Sequence, residues 1–136
     1  MKHSGTILIV DDDREFGLVT KILLETEGFS ATLATTGDKA LEICRDQAID
    51  VVLLDWMLGA ASALNVLREL VRSHPRLPVI VVTGHGSMES AAEAMRGEAF
   101  DYIGKPFPAP ALIAAIRRAL EWRDRLGEQD ADRQPQ

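Results

Sequence analysis

The feature that most constrains this chain is an alternation of short runs of β-branched and aliphatic residues with segments whose apolar residues recur at helical spacing. The strand-like runs fall at residues 7–10, 31–35, 51–54, 79–82 and 99–103. Four of the five are too short and too uniformly apolar to be surface strands, so they are expected to be buried on both faces of a sheet. The run at 31–35 alternates more and suits an edge. Strand and helix in strict turn mean parallel strands joined by helical crossovers, which gives an α/β, doubly wound five-stranded sheet. For five such units the flavodoxin-like strand order 2-1-3-4-5 is the leading choice.

The helical segments carry recognisable starts and stops. Residues 14–27 place Phe16, Val19 and Leu23 on one predicted inward face, with Asp13 as cap and Gly28 as the stop. In the second segment, 38–47, Ala40, Leu41 and Cys44 line up behind a cap at Thr36 or Gly37. Ser62 suits the cap of a third helix that turns Leu64, Leu67, Leu70 and Val71 inward and ends at the segment from Pro75 to Pro78. A fourth, short helix is predicted from a cap at Ser87 to Gly97, with a thin apolar set of Met88, Ala91, Ala92 and Met95, and thin packing makes it the natural element to move. The last helix starts at Pro110, where a proline is tolerated, and buries Leu112, Ala115, Ile116, Ala119 and Leu120. Residues 127–136 carry no apolar periodicity and read as a polar tail or the start of a linker, leaving residues 1–126 as one folded domain.

Composition narrows the class of function. The 136 residues hold 46% apolar and 26% charged side chains, with no apolar run long enough to span a bilayer and no secretory signal at the polar start, so no membrane association and a cytoplasmic location are expected. A net charge of -6 argues against direct nucleic-acid binding, which needs clustered Lys and Arg on one face. Arg117, Arg118, Arg123 and Arg125 read as a solvated helix face or a partner contact. Cys44, alone of its kind, is expected to be a buried reduced thiol. His3, His74 and His85 lack metal-ligand spacing.

In a doubly wound sheet, functional groups gather where the strands end at their carboxyl edge. Asp11, Asp12 and Asp13 follow the first strand, Asp55 the third, Thr83 the fourth, and Lys105 the fifth. Taken alone, an acidic run is a cap plus solvated charge; four strand ends converging on one rim change its meaning. Two carboxylates about 4 Å apart repel by roughly 4 kcal/mol at an effective dielectric near 20. Protonating one at neutral pH costs nearly as much, given a reference pKa near 3.9. A divalent cation resolves the conflict, and all-oxygen ligands select Mg²⁺, with Mn²⁺ as the alternative, over zinc. Mg²⁺ retains waters and shares itself with phosphate. A carboxylate can attack phosphorus when metal and lysine neutralise the gathering charge. Asp55, the lone acid ending a buried strand, is the nucleophile; Asp11 and Asp12 hold metal, Lys105 supplies positive charge, and Thr83 offers a hydroxyl to a phosphoryl oxygen.

Those residues resemble the CheY-like receiver domains of two-component response regulators. The likeness runs from about Thr6 to Arg123 and rests on ILIVDDD at Ile7, VVLLDWM at Val51, PVIVVTGHG at Pro78 and FDYIGKPF at Phe100, in that order. It implies phosphorylation of Asp55 within a phosphorelay. By the same resemblance Asp12 and Asp55 contact the metal directly, Asp11 acts largely through water, and the Met57 carbonyl completes the protein ligands. It also implies a sensor histidine kinase or phosphotransfer protein as partner, a switch pair at Thr83 and Tyr102, and a cis bond before Pro106. The face formed by the fourth helix, fifth strand and fifth helix would carry the signal to an output domain or partner, or into a homodimer. Such a domain is a phosphoacceptor rather than an enzyme, although it takes part in its own phosphotransfer and dephosphorylation.

The loop after Asp55 departs from the family, which commonly has proline where Gly59 stands, an acid or amide at Ser62 and glycine at Ala63. Met57 and His85 stand at positions that overlook the phosphate in relatives. The altered loop motivates an alternative, a pseudo-receiver acting as an interaction module without phosphorylation. A haloacid-dehalogenase-like phosphatase would want an acid two residues after the nucleophile, where Met57 stands, and no glycine-rich loop ending in GK[ST] is present. Reversing a population from 1:99 to 99:1 takes about 5.5 kcal/mol, whereas one hydrogen bond to a charged group contributes roughly 1.5–3. Thr83 alone therefore cannot throw the switch; Lys105 and the backbone near Gly84 must share the bias, or the active state must already be sampled.

Overall fold

A computed structural model of the chain describes residues 5–58, 62–84 and 88–132, with side chains described through residue 127. The β-branched runs form β1 (Thr6–Val10), β2 (Ser30–Ala34), β3 (Val51–Asp55), β4 (Val79–Thr83) and β5 (Asp101–Gly104). All pair in parallel, in the order β2-β1-β3-β4-β5, as expected. Between and after them lie α1 (Arg14–Thr26), α2 (Gly37–Asp46), α3 (Ala63–Ser73), α4 (Met88–Arg96) and α5 (Ala109–Asp132).

The two-residue period of the strands divides the core. Val52, Leu54, Val79 and Val81 point to one face, covered by Ala40, Ile43 and Cys44 of α2, Val66, Leu67 and Leu70 of α3, and Ala94 of α4. Ile7, Ile9, Val51, Leu53 and Ile80 point to the other, covered by Leu24 of α1 and by Leu112, Ala115, Ile116, Ala119 and Leu120 of α5. Each fully buried Leu or Ile in these layers contributes roughly 1.5–3 kcal/mol. The predicted inward set of α5 is buried throughout, and that of α3 lies buried or packed against the core. Cys44 is buried and reduced, its thiol pushed up to about 11 by burial.

Caps form where short polar side chains precede each apolar stripe. Asp13 accepts from the Phe16 N–H, Thr36 from Lys39 and Ser62 from Asn65. Gly28, at φ 97°, ends α1 in the left-handed region. The cap expected at Ser87 lies outside the described residues, as do Gly59 and His85.

Several expectations are corrected. In α1 Leu23 packs against the core and Phe16 is half-buried as expected, but the fully buried positions are Gly17, Thr20 and Leu24 and Val19 is 62% exposed, since Gly17 lets the helix settle against Leu33. In α4 the buried residue is Ala94, with Met88 and Met95 exposed; Gly97 is needed for the close approach of Leu67, and the left-handed residue is Glu98, at φ 71°. β5 is not buried on both faces: it forms the second edge of the sheet and is half-buried along its length. Helical backbone also continues through Asp132, past the point where polar composition suggested fraying. The α5 arginines do form a solvated face, with Arg117, Arg118 and Arg125 exposed, and within it Arg117, Arg118 and Arg123 pair with Glu27, Asp101 and Asp50.

Candidate functional site

Strand period explains why residues distant in sequence meet. Asp55 ends β3 two residues beyond Leu53, and Asp11 follows β1 two residues beyond Ile9, so both carboxylates fall on the α1 and α5 side of the sheet rim. Lys105 follows Ile103 in the same phase. Pairing continues past the strand ends to fix them: the Asp11 N–H donates to the Ala34 carbonyl at 3.0 Å, Trp56 to Val82 at 2.8 Å, and Lys105 to Thr83 at 2.7 Å. Thr83 and Tyr102 fall on the opposite face, with Thr83 fully buried at the end of β4.

Asp11, Asp12 and Asp55 each bring a carboxylate oxygen to within 4.8 Å of the others. Asp11 and Asp55 are buried and Asp12 is exposed, so the cluster opens to solvent through Asp12. Both oxygens of Asp11 are engaged, one by the Asp13 N–H at 2.9 Å and one by the Lys105 ammonium at 3.0 Å. Asp55 accepts from the Met57 N–H at 3.1 Å through Oδ1, and its Oδ2 lies 3.5 Å from Lys105. Burial pushes the Asp55 carboxyl up to about 6, with the Asp11 charge adding to the rise and the Met57 N–H and Lys105 opposing it.

The donor set fits a hard divalent cation. All three side chains offer oxygen, none offers sulfur or nitrogen, and one is solvent-facing, as Mg²⁺ requires if it is to keep part of its water shell. One ammonium shared by two buried carboxylates leaves the cluster net negative, which further favours a cation.

Of the remaining expected site residues, Met57 stands at the mouth with a side chain 55% exposed. The Lys105–Pro106 peptide is cis. The Tyr102 hydroxyl is buried and has no hydrogen-bond partner among the described residues. Asp13 serves as the α1 cap. Sequence reasoning missed Phe16 and Phe107 at this rim: the Lys105 ammonium lies 4.0 Å from the Phe16 ring centroid, and the two rings meet edge to face at 6.0 Å. The available signal was position, since Phe16 opens a helix that begins at the acid cluster.

The response regulator receiver domain model matches residues 7–117. The nitrogen assimilation regulatory protein NtrX of Azorhizobium caulinodans is 38% identical over 117 residues, covering 85% of this chain and 26% of its own. The chain thus spans about a quarter of the length of that relative and of several others. Among solved structures, the receiver domain of NtrX from Brucella abortus superposes with a TM-score of 0.80 at 39% identity, covering 85% of this chain and 98% of that one. The beryllofluoride-activated NtrC4 receiver domain dimer gives 0.82 at 28% identity, covering 87% and 98%. Fold order, rim chemistry and these likenesses converge, and the chain belongs to the response regulator receiver domain family of two-component signalling.

Proposed function

We propose that Asp55 accepts a phosphoryl group, with Asp11, Asp12 and Asp55 holding Mg²⁺ and Lys105 and Thr83 bonding the transferred group. The observation that carries this reading is the gathering of three carboxylates within 4.8 Å of one another, with an ammonium 3.0 Å and 3.5 Å from two of them. When bound, the cation supplies positive charge that offsets the carboxylates and anchors phosphoryl oxygens. The Met57 carbonyl is the further oxygen ligand in this scheme.

The chain's own groups do the rest. The Met57 N–H holds one Asp55 oxygen in place, so the carboxylate is oriented before a donor arrives. An Asp55 oxygen forms the new bond to phosphorus as the donor's bond to nitrogen or oxygen breaks, and the leaving group takes that electron pair. Lys105 neutralises oxygens of the transferring group. Asp11, with both oxygens already engaged, acts through water and fixes Lys105. Movement of Thr83 toward the phosphoryl group vacates space into which Tyr102 can rotate, and the Tyr102 hydroxyl, with no hydrogen-bond partner among the described residues, is not tied to its present place.

The donor in this reading is a phosphohistidine on a kinase or phosphotransfer protein. The exposed Leu18, Val19 and Ile22 of α1, a helix that starts at the acid rim, form its docking strip. The α4-β5-α5 face transmits the state, in a homodimer or to an output domain; the beryllofluoride-activated NtrC4 receiver is a dimer, and on this chain α4 exposes Met88 and Met95. A cytoplasmic location and the absence of direct nucleic-acid or membrane binding complete the proposal. No helix among the described residues is long and apolar enough to cross a membrane.

Trp56, beside the acceptor, gives the test. Its emission should change on adding Mg²⁺ and change again with beryllofluoride, and Asp55→Asn should abolish the second response. A wild-type chain giving neither response, with no phosphoryl adduct from a small donor, supports the pseudo-receiver reading instead.

A further inference from the structure

We propose that Phe16 is a positioning residue whose ring holds the Lys105 ammonium over the acid cluster, aimed at the phosphoryl group; this rests on the phosphoacceptor reading of Asp55. Lysine is a point charge on a flexible four-carbon stem, so a productive lysine must be held by something. Two carboxylates provide part of that hold, at 3.0 Å to Asp11 and 3.5 Å to Asp55. The Phe16 ring provides the rest: Nζ lies 4.0 Å from its centroid, well inside the range where the ring quadrupole attracts a cation.

The ring is itself constrained. Phe107 meets it edge to face at 6.0 Å and 82°, and the Phe16 N–H donates to the Asp13 cap, so the first turn of α1 fixes where the ring stands. Behind the site, Phe16, Phe107, Asp11 and Asp55 share with aliphatic residues a cavity of only about 10 Å³. That is at the lower limit for holding one water, and with the Lys105 side chain only 19% exposed the ring contact is partly desolvated. The arrangement matters most at the moment of transfer. Transfer shifts the negative charge that Lys105 must meet from the Asp55 carboxylate to the phosphoryl oxygens, and a lysine held by Asp11 alone would have nothing else to keep it aimed at them. The aromatic contact is indifferent to that change of anion and keeps the amine at the rim.

The test replaces Phe16 with 4-fluoro-, 3,5-difluoro- and 3,4,5-trifluorophenylalanine, which keep the shape of the ring and weaken its negative face stepwise, in the full chain with saturating Mg²⁺ and acetyl phosphate. The logarithm of the rate of adduct formation should fall in step with fluorination, reaching a loss of roughly threefold to thirtyfold in the trifluoro variant. In a Lys105→Met background the same series should be flat, since the ring then has no cation to hold. A flat series with an active wild type, or a slope that survives in Lys105→Met, overturns the inference and leaves the phosphoacceptor reading standing. A wild type that forms no adduct overturns both. The fluorinated rings avoid the packing loss that Phe16→Leu would introduce, so a folding defect cannot imitate the graded effect.

Discussion

Removing the charge of Asp55 should stabilise the metal-free protein. Burial and the nearby Asp11 carboxylate raise the Asp55 carboxyl from 3.8 to about 6. Folded chain therefore holds a proton that unfolded chain has released between about pH 4 and pH 6, so stability falls as pH rises through that window and the whole penalty is present above it. A rise of that size corresponds to about 3 kcal/mol. In Asp55→Asn the amide oxygen can still accept from the Met57 N–H, and Lys105 keeps Asp11 at 3.0 Å while losing a contact at 3.5 Å. The net gain at pH 8 in EDTA should thus be about 1–3 kcal/mol, a large share of the 5–15 typical of a domain. Urea unfolding followed by far-ultraviolet circular dichroism from pH 4 to pH 8 measures it, with the two proteins converging near pH 4. Added Mg²⁺ should shrink or reverse the gain by stabilising wild type selectively. An Asn variant less stable than wild type at pH 8, or a difference that does not vary with pH, refutes the reasoning.

Other expectations follow from single contacts. Tyr102→Phe removes a buried hydroxyl with no partner among the described residues and should raise stability by about 1 kcal/mol in urea unfolding. Ser62→Ala removes the α3 cap and should lower stability by about 1 kcal/mol by the same assay. Ile22→Asp, at a side chain 64% exposed, should change stability by no more than about 0.5 kcal/mol. It should nevertheless slow phosphotransfer from a kinase on the order of tenfold, a loss of about 1.4 kcal/mol, while leaving phosphorylation by acetyl phosphate unchanged.

The strand pattern was legible because a parallel sheet buried between helix layers leaves an unmistakable mark, runs such as VVLL before Asp55 with no polar interruption. Site chemistry was legible for a related reason: strands fix the rim, so Asp11, Asp55, Thr83 and Lys105 could be put at one edge from the order of residues alone. Helix faces were harder. Val19 reads as core by spacing, but the sheet cares about closeness, and Gly17 lets α1 come nearer to Leu33 than a larger residue would. Likewise Gly97 reads as the end of the fourth helix, and the structure adds what spacing does not show: the glycine admits Leu67, and Glu98 takes the left-handed backbone. For the Phe16 contact with Lys105 the sequence offers only the position of Phe16 at the start of a helix that begins at the acid cluster; the pairing with a loop far along the chain comes from tertiary geometry.

The central claim, that Asp55 is the acceptor, is tested most directly by incubating the protein with acetyl phosphate and Mg²⁺, trapping the product with hydroxylamine or borohydride, and mapping the modified residue by mass spectrometry. One phosphoryl group per chain, labile to base, is expected on Asp55 and is lost in Asp55→Asn. Modification at another residue, or an unmodified chain under conditions where Mg²⁺ binds, would contradict it.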